Sequence, residues 1–93
     1  MLRYHITIRG DVQGVGFRYY TQKNALAFGV KGWVRNRLDG SVEIDAEGDE
    51  TSLALFLGAL KRGSRYSSVE SADIRKMDEL MNYRTFYIED DEW

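Results

Sequence analysis

Leu2, Tyr4, Ile6 and Ile8 alternate with Arg3, His5, Thr7 and Arg9, the period-two pattern of a strand with one buried face. A first strand is therefore predicted over residues 2–9. The period then changes: Phe17, Thr21, Ala25 and Phe28 share one helical face, and Gly29 follows where a left-handed C-cap belongs. This predicts a helix over about residues 17–28. Val30 to Leu38 and Ser41 to Glu47 read as two strands, joined at Asp39-Gly40, a strong short-range hairpin signal. In the second of these, Val42, Ile44 and Ala46 face one side and Glu43, Asp45 and Glu47 the other. Gly48-Asp49-Glu50 opens a second helix with Asp49 as its cap, an apolar stripe of Leu53, Phe56, Leu57 and Leu60, and Gly63 at its end. The loop Ser64 to Ser68 leads to a less regular strand near Val69 to Lys76, residues 77–83 match no pattern, and Thr85 to Ile88 make a short last strand.

The order β-α-β-β-α-β with an extra short strand defines an α+β class, the ferredoxin-like sandwich. It predicts an antiparallel sheet with two helices on one face and a short C-terminal strand. Right-handed crossovers place both helices on the same side, so the other sheet face is expected to be open or solvated.

Composition narrows the reading. A chain of 93 residues with 43% hydrophobic content suits one domain, 1–93, that buries roughly 60–70% of its unfolded surface. No apolar run reaches the length of a membrane span, and no charged start precedes an apolar segment, so a soluble, cytoplasmic protein is expected. With no cysteine, disulfides, thiolate metal sites and cysteine nucleophiles are excluded. Thirteen basic residues against fifteen acidic give a net charge of −2, whereas a general nucleic-acid binder carries a basic excess. Any anion site must therefore be local, and neither nucleic acid nor membrane is an expected partner.

Such a site is visible in Val12-Gln13-Gly14-Val15-Gly16-Phe17-Arg18, between the first strand and the first helix. Glycines let the backbone turn tightly and approach a ligand, and the free amides of a helix start attract anions. Arg18 adds a permanently charged planar fork that can donate two parallel hydrogen bonds to a phosphate-like group. The segment looks built to hold a small oxyanion. A second feature is Gly32-Trp33-Val34-Arg35-Asn36, in which Asn36 shares strand parity with the apolar Val30, Val34 and Leu38. A polar amide on the apolar side requires a partner.

These two segments, followed by Asp39-Gly40-Ser41-Val42-Glu43, resemble the acylphosphatase family over nearly the whole chain, in length, in element order and at Gly48 and Phe56. One departure is Ser64 after Gly63, where many members have proline. Hydrogenase-maturation proteins carry a related domain as one part of a much longer chain. The resemblance implies that the backbone amides of Gly14, Val15, Gly16, Phe17 and Arg18, with the Arg18 side chain, bind the phosphate of an acyl phosphate. It further implies that Asn36 orients the attacking water, so that Arg18 and Asn36 are the catalytic pair.

Two residues suffice for that chemistry. An acyl phosphate is a mixed anhydride whose leaving carboxylate is stable near neutrality, because carboxylic acids have pKa values of about 4. Transfer of the phosphoryl group to water then depends on in-line positioning and on donors aimed at its oxygens. An asparagine donates and accepts at once and can fix a water without being a strong base. No cofactor is expected. No metal is expected either, since arginine and amide dipoles supply positive charge, and one histidine with no cysteine offers no recognisable ligand set. A small monomer with its acyl group protruding into solvent is expected to tolerate varied acyl groups.

The remaining chemistry-bearing residues read as structural. His5 falls on the exposed side of the first strand, Trp33 reads as sheet or core packing, and Arg35 and Arg37 as solvated strand positions that raise the local potential. The acidic run Glu89-Asp90-Asp91-Glu92 reads as a solvated tail. Among rival functions, an RNA-recognition module shares the element order but stacks bases on aromatic residues of its third strand. Here that strand is acidic and has none. A copper chaperone lacks its thiolates. A non-catalytic anion sensor would use the same loop without releasing phosphate.

Overall fold

The computed structural model describes residues 1–92. Its elements are β1 (Leu2–Asp11), α1 (Phe17–Phe28), β2 (Lys31–Asn36), β3 (Val42–Gly48), α2 (Glu50–Arg62), β4 (Ser68–Met77) and β5 (Phe86–Ile88). The five strands form one sheet in the order β4-β1-β3-β2-β5. Two helices over this sheet make the ferredoxin-like sandwich that the element order predicts. The antiparallel description holds for the first four strands. The fifth corrects it: β5 runs parallel to β2, with Gly32 opposite Phe86 and Val34 opposite Ile88, so the sheet is mixed. A chain returning from the far side of the sheet reaches the free edge of β2 running in its direction.

α1 lies over β2 and β5, and α2 over β3 and β4. Phe17, Thr21 and Ala25 are the buried face of α1, and Leu53, Phe56, Ala59 and Leu60 that of α2. Between helices and sheet sit Ile6, Ile8, Val34, Val42, Ile44 and Phe86, all nearly inaccessible. The Phe56 and Phe86 rings meet edge to face at 5.9 Å, a favourable aromatic geometry. The Tyr20 hydroxyl donates to the Ala59 carbonyl at 2.8 Å and ties the helices together. Asp49 caps α2 by accepting from the Ser52 amide at 2.7 Å.

The opposite sheet face is not left to solvent as expected. Glu43, Asp45 and Glu47 are all buried, because partners remote in sequence close over them. Arg3 grips Asp45 at 2.7 and 3.1 Å, and Arg35 and His5 hold the two oxygens of Glu43 at 2.7 and 2.6 Å. The backbone amides of Met81, Asn82 and Tyr83 converge on Glu47. These bonds draw residues 79–83 across the sheet, where Tyr83 also donates to Asp45 and accepts from the Trp33 indole. Burying a carboxylate is costly unless hydrogen bonds and countercharges surround it, and here each has both or several donors.

Candidate active site

Where β1 ends, residues 12–16 turn the chain into α1. Gly14 and Gly16 both adopt left-handed backbone, with φ of 73° and 79°. A Cβ at either would meet nothing within 4 Å, so the glycines are required by the turn and not by crowding. Gly16 is the N-cap residue of α1 and provides no side-chain cap, and no acidic residue sits in the first turn. The positive end of this helix therefore keeps its free amides, in contrast to the capped α2.

These amides open into a cavity of about 220 Å³. Val12 and Phe17 form its apolar wall, Gly14 and Gly16 its turn, Arg18 and Asn36 its polar groups, and Tyr19 and Ile88 its outer rim. The structure thus brings Gly14, Gly16, Phe17, Arg18 and Asn36 together. Val15 is not in the cavity lining, and its side chain packs against the core. Asn36 ends β2 on the helix side of the sheet, and its Oδ1 is buried without a hydrogen-bond partner among the described residues. Leaving such an acceptor unpaired costs about 1–3 kcal/mol, and the side chain that carries it lines the cavity.

Two contributors escaped the sequence reading. The Gln13 side chain donates to the carbonyls of both Arg37 and Ser41, at 2.7 and 2.9 Å, and clamps the loop to the β2–β3 hairpin that carries Asn36. That turn spans Arg37 to Gly40, and Asp39 steadies it by accepting from the Ser41 amide and hydroxyl. The second contributor is the acidic tail, which is not a free solvated run. Glu89 and Glu92 donate backbone hydrogen bonds to the carbonyls of Val34 and Asn36. Asp91 Oδ1 accepts from Arg18 Nη1 at 2.8 Å. The acidic run and the loop arginine were each visible, but no local signal joins positions so far apart.

The other basic groups are held elsewhere. Arg35 lies 5.5 Å above the Trp33 ring, and its hydrogen bond to Glu43 holds its guanidinium pKa above the ordinary value. The Arg37 guanidinium lies 3.8 Å from Glu92. His5, paired to Glu43 on the far side of the sheet, has no access to the cavity. Burial presses the Glu43 carboxyl upward, but the bonds and charges of Arg35 and His5 prevail and hold it below its ordinary value. Among the described residues no group of three or more histidine, aspartate or glutamate side chains is arranged to hold a metal ion, and no helix is long and apolar enough to cross a membrane.

Fold and cavity together define a small α+β sandwich with a cleft that sets Arg18 and Asn36 at an uncapped helix start. The acylphosphatase family model matches residues 4–88. The chain is 51% identical to an acylphosphatase of Bacillus velezensis over 95% of its own length and 98% of that protein. It is 46% identical to that of Bacillus subtilis over 95% and 97%. The crystal structure of acylphosphatase from Bacillus subtilis superposes with a TM-score of 0.92 at 45% identity, covering 95% of this chain and 98% of that one. A crystal structure of full-length HypF matches at a TM-score of 0.88 and 29% identity, covering 97% of this chain but 12% of that one. The chain belongs to the acylphosphatase family, and as an enzyme it is an acylphosphatase hydrolase.

Proposed function

We propose that the cavity at the start of α1 is where this enzyme hydrolyses acyl phosphates, and that Arg18 and Asn36 are its catalytic residues. The observation that carries this reading is the meeting of a guanidinium, free helix-end amides and an unpartnered buried Asn36 oxygen in one cavity. The phosphoryl group sits against the amides of residues 14–18, with Arg18 donating to its oxygens. These donors oppose the charge that develops in transfer, the role in which fixed dipoles act most strongly. Asn36 Oδ1 accepts from a water and aims its lone pair at phosphorus. The carboxylate departs without a proton, and phosphate forms directly. The Arg18 charge and amide dipoles stand where a divalent cation acts in other phosphoryl transfers, so the reaction requires no metal. The acyl phosphate is a small soluble molecule, in keeping with a cytoplasmic monomer.

The test is phosphate release from benzoyl phosphate in EDTA by the native chain, Arg18→Ala and Asn36→Ala, each checked for folding by circular dichroism. Native turnover is expected to persist in chelator, and each variant to lose about 10²–10³ in rate. Folded variants that retain native rates would remove the assignment, and dependence on added cation would remove the metal-free route. Hydrolysis in ¹⁸O-water is expected to label phosphate and not the carboxylate. Trapping of a stoichiometric phosphoenzyme would exclude direct attack by water.

A further inference from the structure

The cavity is built differently at its two ends. About 220 Å³ is below the roughly 300–1,000 Å³ of sites that enclose a whole drug-sized ligand. A phosphoryl group seated against α1 and Arg18 leaves little enclosed room, so the acyl part of the substrate must run out across the rim. Of the apolar side chains in the lining, Val12 and Phe17 are buried, whereas Tyr19 is 67% and Ile88 40% exposed. Isolated exposed apolar residues are ordinary. These two differ in that they come from separate elements, α1 and β5, and meet at the mouth of the same cleft as Arg18 and Asn36. Ile88 runs directly into the acidic segment 89–92, which continues along β2 and sets Asp91 against Arg18. The exit is thus apolar on its surface, with the Asp91 carboxylate at its side, while Glu89 and Asp90 lie in a separate depression with Trp33 and Arg35.

We propose that Tyr19 and Ile88 form the acyl subsite and that, with Asp91 beside them, they select acyl phosphates with uncharged apolar acyl groups over those ending in a second carboxylate. This inference rests on the phosphate site proposed above. Covering about 50 Å² of apolar surface between ring and aliphatic chain is worth roughly tenfold in affinity. The contact is the same in ground and transition states, so the gain falls on KM and leaves kcat nearly unchanged. A second carboxylate about 7 Å from that of Asp91 in water loses roughly threefold, and salt screens the loss. The combined selectivity remains well under 10³-fold, as suits an open cleft.

The experiment measures KM and kcat for benzoyl, acetyl, butanoyl and 3-carboxypropanoyl phosphates with the native chain, Tyr19→Ser, Ile88→Ser, the double variant and Tyr19→Phe. The native KM for benzoyl phosphate is expected to lie about tenfold below that for acetyl phosphate. Each serine variant should shrink this ratio about threefold, the double variant should bring it near one, and Tyr19→Phe should retain it. The carboxylate-bearing substrate should show a KM about threefold above butanoyl phosphate at low salt, the gap closing in 1 M salt. Equal native KM values for benzoyl and acetyl phosphates, or a ratio that survives the double variant, would overturn the subsite. A salt-independent gap, or none, would overturn the role of Asp91. A native chain that hydrolyses none of the four overturns the underlying site, an outcome distinct from turnover without selectivity.

Discussion

Asp91 occupies a donor of the arginine that the phosphate is proposed to use, so Asp91→Asn should tighten phosphate binding. The two groups meet at 2.8 Å, with the Arg18 side chain 38% and the Asp91 side chain 51% exposed. For unit charges about 4 Å apart in water the attraction is about 1 kcal/mol. Ordering two side chains removes part of it, and exposed pairs yield roughly 0.2–1 kcal/mol. The carboxylate therefore competes by a factor of about 1.5 to 5. The tail itself stays in place in the variant, because Glu89 and Glu92 hold it through backbone bonds to Val34 and Asn36. The substitution thus reads the Asp91 charge alone. The assay is the inhibition constant of inorganic phosphate against acyl phosphate hydrolysis, measured at low salt and at 1 M salt. Asp91→Asn should lower the constant up to fivefold at low salt and converge on native at high salt, where screening acts within about 3 Å. A constant that rises would show that Asp91 aims Arg18 instead of competing for it, and would refute the argument.

Gln13→Ala removes both clamps between the loop and the hairpin and leaves the Arg37 and Ser41 carbonyls without those donors. It should cost about 1–3 kcal/mol of stability in denaturant melts and lower kcat about tenfold with the secondary structure intact; unchanged kcat would show that the loop holds its shape unaided. Stability should fall at both ends of the pH scale. Glu43 is held below its ordinary 4.5 in the folded state, so its contribution is present above that pH and is lost as pH falls through the lower folded value. Burial, with Asp45 adding to it, raises the Tyr83 phenol from 10.0 to about 12, so its contribution is present below pH 10 and is lost as pH rises toward 12. Thermal melts across pH should show Glu43→Gln flattening the acid limb and Tyr83→Phe the alkaline one. A native alkaline limb that survives Tyr83→Phe unchanged would refute the second assignment.

Local periodicity carries the helices well. Phe17, Thr21 and Ala25 repeat at helical spacing, and Gly29 takes the left-handed C-cap with φ of 73°, so α1 was legible to the residue. The hairpin at Asp39-Gly40 was legible for the same reason, since turn chemistry resides in the residues that turn. Parity marks Asn36 as a polar amide on the apolar side, only the family resemblance joins it to the loop, and the structure supplies the Gln13 clamp that fixes one against the other. The burial of the acidic face of β3 is not legible locally, because alternation reports polarity but not partnership. Arg3 lies 42 residues from Asp45 and the Tyr83 amide 36 from Glu47. β5 has three residues, too few for a period, and its parallel run follows from the one free edge that β2 offers. The docking of the tail is hidden on the same ground, Arg18 being 73 residues from its partner Asp91.

The tail that lies along β2 also decides how the protein can be handled. The start of β1 pairs with Gly48, a full ten-residue strand from the loop of residues 12–16, or about 30 Å at 3.4 Å per residue. An affinity tag or fluorescent partner attached there leaves the cleft untouched. The same appendage attached after the tail would pull on the segment bonded to Val34, Asn36 and Arg18, and fusions made at that end would report the chemistry of a disturbed enzyme.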